Sequence, residues 1–322
     1  MKKPYTLIAS LVLPFTAQAG DDLPAIELPD TNDSVLADDV FSSAIRPITA
    51  PTIFDLAVPR TQIHAIYMHQ SLPDAVNVAG LPVDTVPLGG DFNLYALQFE
   101  IALNERTSIV ATKDGYIDFN PDNVLSSDEG FANLGLGIKR ALIYRPESKY
   151  ILSGIATVEI PIGDSEVWQG EGEGALNLNL AGLKLYDRLQ VASNLGLHIP
   201  FDDAQSFTGS VSLHASYEVT PLFIPLIELN WYHVFDEGDG TSTFDNQGGS
   251  LVPMVAQFEG GDLINLGSAN ADDNPDAVTL GLGFRSRIND NATLGFAYEI
   301  PLTDDENGLL DDRFTVDLVW KF

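Results

Sequence analysis

Few residues of this chain have the types and spacing to do chemistry. His214 and Ser216 stand two apart, so on an extended strand an imidazole and a hydroxyl project from one face. That pair is the beginning of a base-activated nucleophile, and Glu228 or Asn230 lies near the separation from which a third group could orient the ring. The other histidines, His64, His69, His198 and His233, are scattered, and there is no cysteine, which disfavours a sequence-local metal site. Gly170, Gly172 and Gly174 alternate with glutamates that would repel phosphate, so they read as a flexible turn. No phosphate-binding loop, nucleophile elbow or zinc-protease motif occurs. Neither Asp236–Gly240 nor Asp304–Gly308 matches the calcium-loop template. We therefore expect no catalytic residue, no metal ligand and no cofactor, and read His214 and Ser216 as ordinary inward-facing residues of a strand.

Composition narrows the class. Among 322 residues there are 46 acidic and 16 basic side chains, a formal net charge of -30, which argues against nucleic acid as a partner because polyanions are bound through Lys and Arg. Residues 1–19 carry a cationic start (Lys2, Lys3), an apolar stretch from Leu7 to Phe15 and the small-x-small site Ala17-Gln18-Ala19, the pattern of a secretory signal peptide. Without a lipidation cysteine it looks like that of a Gram-negative exported protein. Beyond it no stretch is long and apolar enough for a membrane helix, so any membrane span must come from strands. Residues 20–60 are rich in Asp and Pro and read as a periplasmic or plug-like leader, with only Val35 to Ile45 offering a short helix.

After Arg60 the chain becomes a succession of alternating stretches separated by turn signals, the signature of an all-β meander. The expected strands are 61–70, 91–103, 107–118, 130–144, 149–161, 172–186, 188–200, 206–219, 222–235, 276–289, 291–302 and 313–322, about twelve, with ten or fourteen as alternatives. Connections alternate between short turns, such as Asn104-Glu105-Arg106, and long loops, such as 236–275. That asymmetry predicts a transmembrane antiparallel up-and-down β-barrel over 61–322, with short periplasmic turns and long extracellular loops. The long loops are acidic: Asp236, Glu237, Asp239, Asp245, Glu259, Asp262, Asp272 and Asp273 in one, Asp304, Asp305, Glu306, Asp311 and Asp312 in another. Solubility or repulsion against aggregation is the plainer account of this charge; cation attraction at a pore mouth, or binding of divalent ions that bridge lipopolysaccharide, is the sharper one.

Side-chain parity assigns faces. Phe314, Val316, Leu318, Trp320 and Phe322 share one face of the last strand and oppose Thr315, Asp317 and Lys321. Extending the split places Glu100, Lys139, Glu159, His198, His214, Glu218, Glu228, Arg285, Arg287, Glu299 and Asp317 in the lumen. The inward Gly281 and Gly283 would leave room there. In the first strand, His64, Ile66 and Met68 compete with Ile63, Ala65 and Tyr67 for the outward face.

Arg313–Phe322, alternating and ending on Phe, resembles the signal by which the outer-membrane assembly machinery recognises barrels. Leu103–Ser108, Gly130–Lys139 and Val158–Gly163 are similar to stretches of the MetA-type, FadL-like barrel family of phenol-degradation-pathway transporters. That resemblance implies uptake of small, aromatic or apolar compounds and supplies no catalytic residues. His214-x-Ser216 also resembles the His-x-Ser of the outer-membrane phospholipase barrel, whose serine faces lipid, whereas parity here turns both residues inward. The expectation is thus an outer-membrane barrel for passage or uptake of small molecules, against a closed structural or binding barrel and, further off, a barrel hydrolase. Its expected partners are outer-membrane lipid, the assembly machinery and a small-molecule solute. The oligomeric state is open.

Overall fold

The computed structural model describes residues 40–322; the signal-peptide reading and residues 20–39 of the leader fall outside that range. The strands in chain order are β1 (Gln62–Ser71), β2 (Ala75–Asn77), β3 (Thr85–Pro87), β4 (Gly90–Asn104), β5 (Thr107–Lys113), β6 (Tyr116–Pro121), β7 (Asp128–Phe131), β8 (Leu134–Arg145), β9 (Tyr150–Ile160), β10 (Ala175–Tyr186), β11 (Leu189–Pro200), β12 (Phe207–Tyr217), β13 (Ile224–Asp236), β14 (Asp276–Arg287), β15 (Ala292–Pro301) and β16 (Asp312–Lys321). The wall runs antiparallel from β4 through β5 and β8 to β16, and β1 pairs with both β16 and β4. This closes a barrel of twelve strands and leaves the wall without an open edge.

Two expected strands are divided. Asp114-Gly115 bends the chain between β5 and β6, with Gly115 at φ 134°, where a side chain is strained. From there β6 pairs with the upper half of β4, and β7 with β6, as a ribbon beyond the wall. The short helix expected to reach Ile45 is not found over its described part; residues 40–43 make a turn. The only α-helix among the described residues, Leu251–Val255, is too short to cross a membrane.

The wall turns its apolar side outward. Leu97, Leu195, Leu213, Leu282, Phe296, Leu318 and Trp320 are exposed, whereas Gln98, Asn194, Ser212, Arg285 and Asp317 are buried. In β1 the competition is settled by register: Ile66 faces Asp317 and is buried, and Ile63 is paired with Trp320 on the outside. An apolar exterior around a polar interior inverts a water-soluble sandwich and is stable only where hydrocarbon replaces water. Leu213→Arg, on the outer face of β12, is expected to cost about 2–4 kcal/mol of folding free energy in lipid vesicles, read by urea titration. Asp245→Arg in the long loop should leave it unchanged.

Two apolar clusters fill much of the interior. Toward the long-loop end, Phe92, Leu94, Ile117 and Phe119 pack with Trp168, Phe258, Leu263 and Ile264 from infolded loops. Toward the short-turn end, Ile151, Ile155, Ala181 and Leu183 of β9 and β10 pack with Phe41, Phe54 and Leu56. These last residues belong to a segment that is not part of the wall.

Candidate functional site in the barrel lumen

Residues 40–60 lie inside the barrel. Pro47, Pro51 and Pro59 deny this segment a helix or a ladder, so its backbone must find other partners, and wall side chains supply them. The Ile45 N–H donates to Gln190 Oε1 at 2.9 Å, and Gln190 Nε2 donates back to the Ile45 carbonyl at 2.7 Å. Ser153 Oγ donates to the Ala57 carbonyl at 2.5 Å. Near the short-turn rim, Arg287 reaches the Ser43 carbonyl and Lys321 the Ser42 carbonyl, both at 3.2 Å. The Arg60 guanidinium donates to the Phe41 and Ala44 carbonyls, tying the segment's two ends together.

Glu228 of β13 is the main anchor. Its carboxylate accepts the Ile48 N–H at 3.1 Å, the Thr49 N–H at 2.7 Å and the Thr49 hydroxyl at 2.6 Å. His214 Nδ1 faces the same carboxylate at 2.7 Å, so that nitrogen carries the proton, and Nε2 accepts the Ser216 hydroxyl at 2.9 Å. The distances match a serine–histidine–carboxylate relay. Ser216 is only 4 % exposed, however, and the carboxylate is engaged by the inner segment.

The remaining charges are paired. Arg285 holds Asp317 through two nitrogens, at 2.7 and 2.6 Å, and donates to the Arg46 and Pro47 carbonyls at 2.5 and 3.1 Å. His64 Nε2 meets Asp317 at 2.7 Å. A Cβ on Gly295 would come within 2.2 Å of Asp317, so the glycine makes room for this cluster. Lys139 joins Glu100 at 3.0 Å to Asp55 at 2.8 Å, and Asp55 meets Arg46 at 2.6 Å. Nearer the long loops Glu299 and Asp262 share Arg313, while Glu159 takes Lys113 at 2.6 Å. Glu218 pairs with Arg287 at 3.1 Å at the opposite rim. His198 is held by Asn177 and Gln205 at 2.7 and 2.9 Å.

Every residue that parity placed in the lumen is thus in contact with another polar group, and several converge on residues 40–60. Arg46 and Asp55 escaped notice because their segment shows no periodicity. Arg313 shares the parity of Asp317 and could have been found by it. Asp262 and Glu259 are not free loop acids: Asp262 is buried on Arg313, and Glu259 accepts Ser206 Oγ and the N–H groups of Gly260, Leu266 and Ser268. A cavity of about 70 Å³ remains between Thr52 and Ile53, the wall at β9–β13 and residues 261–265.

At the long-loop mouth Glu171 is buried, and neither carboxylate oxygen has a hydrogen-bond partner among the described residues. Burial, then the nearby Glu259, Asp202 and Asp239, push its pKa up to about 9. A carboxyl raised in the folded state keeps its proton there while the open state ionises, so the loop packing weakens as pH rises from about 4.5 to about 9. The hydrogen-exchange protection factors of residues 237–275, with the intrinsic base-catalysed rate divided out, are expected to fall from pH 5 to pH 9, and Glu171→Gln to flatten that fall. No group of three or more His, Asp or Glu side chains among the described residues forms a metal site.

No protein-family model and no curated protein sequence matches the chain. Among solved structures, an outer-membrane channel from Pseudomonas putida F1 matches with a TM-score of 0.56 over 82 % of this chain and 96 % of that one, at 16 % identity. The fold is that of an outer-membrane β-barrel. The NanC porin matches more loosely, with a TM-score of 0.47 over 81 % of this chain and 100 % of its own, at 5 % identity.

Proposed function

We propose that this outer-membrane barrel is a gated channel for small molecules, with residues 40–60 as the gate and the short turns at the periplasmic face. One observation carries the reading: the wall cations Lys139, Arg285 and Arg287 each hold a wall carboxylate, Glu100, Asp317 and Glu218, besides what they give the inner segment, so these three cations keep a partner when the segment leaves. Arg46 and Asp55 likewise hold each other within the segment, with Asp55 also meeting Lys139 of the wall. The acidic long loops would favour cations over anions at the outer mouth. The resemblance to phenol-degradation transporters makes small aromatic or apolar compounds one solute class to test.

The test is single-channel recording in planar bilayers. The mature chain should open briefly and rarely, and deletion of residues 20–60 should give long openings with at least tenfold greater mean current. Silence of both forms, each refolded to a heat-modifiable barrel, would refute the channel.

The Ser216–His214–Glu228 distances favour a second reading, a serine hydrolase exposed when the gate leaves. Labelling of Ser216 by a fluorophosphonate, absent in His214→Ala, would support it; no labelling of the gate-deleted form would remove it.

A further inference from the structure

Beyond the existence of a gate, the interior is unequal around its circumference. On one side, Ile151 and Ile155 of β9 and Leu183 of β10 form an apolar surface packed with Phe54 and Leu56. On the other, β11, β12 and β13 present polar groups in successive rungs. Asn194 pairs in register with Ser212, and Ser212 with Asn230. These three are 1 %, 0 % and 0 % exposed, and each has an atom without a hydrogen-bond partner: Asn194 Oδ1, Ser212 Oγ and Asn230 Oδ1. Three orphaned polar atoms on one rung are unusual, because buried polar groups are nearly always satisfied.

The rung above pairs Ser210 with Tyr232, whose hydroxyl is also orphaned, and both line the cavity of about 70 Å³. Gly196 beside them keeps that space open, since a Cβ there would stand 2.5 Å from Ser210 Oγ and 2.6 Å from Asn179 Oδ1. The rungs below hold His214 with Glu228, beside Ala192, and then Gln190 with Ser216, beside Leu226, so the run is continuous on β12. Gln190 and Ser216 line a second cavity, of about 20 Å³, at the short-turn rim beside Arg287. Polar side chains therefore run without a break from one cavity to the other along a single side of the gate.

We infer that this stripe on β11–β13 is the solute track, and that it takes uncharged molecules bearing several hydroxyl or amide groups. The inference rests on the channel reading. Amides and hydroxyls, with both donor and acceptor capacity, match such solutes and would leave an apolar one facing unmet polar atoms. The fixed charges at the two ends are neutralised in pairs, Lys113 with Glu159 and Arg287 with Glu218. Midway, the Glu228 carboxylate has only an imidazole and neutral donors around it, and it would repel an anion.

Proteoliposomes carrying the mature chain would be swollen in isosmotic arabinose, sodium gluconate or sodium benzenesulfonate, with gramicidin present so that sodium can follow. Arabinose should enter at least tenfold faster than either anion. The variant Asn194→Leu/Ser212→Ala, which keeps the bulk and removes the orphaned groups, should slow arabinose at least fivefold while it still folds to a heat-modifiable barrel. Unchanged arabinose entry in that variant, or benzenesulfonate entering faster than arabinose, would overturn the track while the channel stands. Absence of both swelling and conductance would overturn the channel and the track together.

Discussion

Oxidation of a Thr49→Cys/Gly281→Cys variant is expected to abolish the current through the barrel, and reduction to restore it, with a difference in mean current of at least tenfold. Thr49 is at the centre of the gate and Gly281 is on the inward face of β14. A Cβ built on Gly281 lies 3.6 Å from the Thr49 Cβ, inside the range of about 3.5–4.5 Å over which disulfides close. The chain has no cysteine of its own, so the engineered pair has no competitor and no misassigned bridge can form within the chain. In the reduced form the substitutions remove the Thr49 hydroxyl's bond to Glu228, which favours opening; in the oxidised form a covalent bond overrides it. One protein thus gives both arms under the same lipid and voltage. Equal currents in the two states, with the bridge verified by peptide mass, would mean that residues 40–60 do not move and that any passage runs elsewhere.

The wall was legible in the sequence because a membrane barrel imposes one rule on every strand, apolar residues outward and polar residues inward. Leu195, Leu197, Leu213 and Leu282 obey it, as do His214, Glu228, Arg285 and Asp317 opposite them. The rule failed where its physical cause is absent. Toward the long-loop rim the interior is not wet but packed, so Met68 faces inward in β1 and parity there carries no signal. Both divided strands likewise lie where the wall gives way to infolded loops. Residues 40–60 were the hardest part to read. Their order comes from contacts about 180 residues away in the chain, made by Glu228 to the backbone at Ile48 and Thr49. Backbone N–H groups leave no mark on residue type, so Glu228 could be placed in the lumen without any hint of what it holds. Arg46 and Asp55, nine residues apart in a proline-rich stretch, have no spacing from which an ion pair could be inferred.

Glu228→Ala is expected to raise the open probability of the mature chain about a hundredfold. The substitution removes the acceptor of the Ile48 and Thr49 N–H groups and of the Thr49 hydroxyl, leaving two buried amide donors unmet. Hydrogen bonds to a charged group contribute about 1.5–3 kcal/mol each, but part is regained when the freed donors meet water, so a net loss near 3 kcal/mol is reasonable. At about 1.4 kcal/mol per decade, that corresponds to two decades in the closed-to-open equilibrium. Glu228→Gln, which retains an acceptor without the charge, should fall between wild type and alanine. His214 loses its orienting partner in the alanine variant, so His214→Gln serves as the control for that loss; it should open the gate far less, because it leaves the carboxylate on Thr49 intact. The decisive comparison combines the two manipulations. In a Thr49→Cys/Gly281→Cys background, Glu228→Ala should raise the current only after reduction, because a tethered gate gains nothing from losing its anchor. An increase that persists when the tether is oxidised would place the effect of Glu228 in the lumen's electrostatics rather than in the gate.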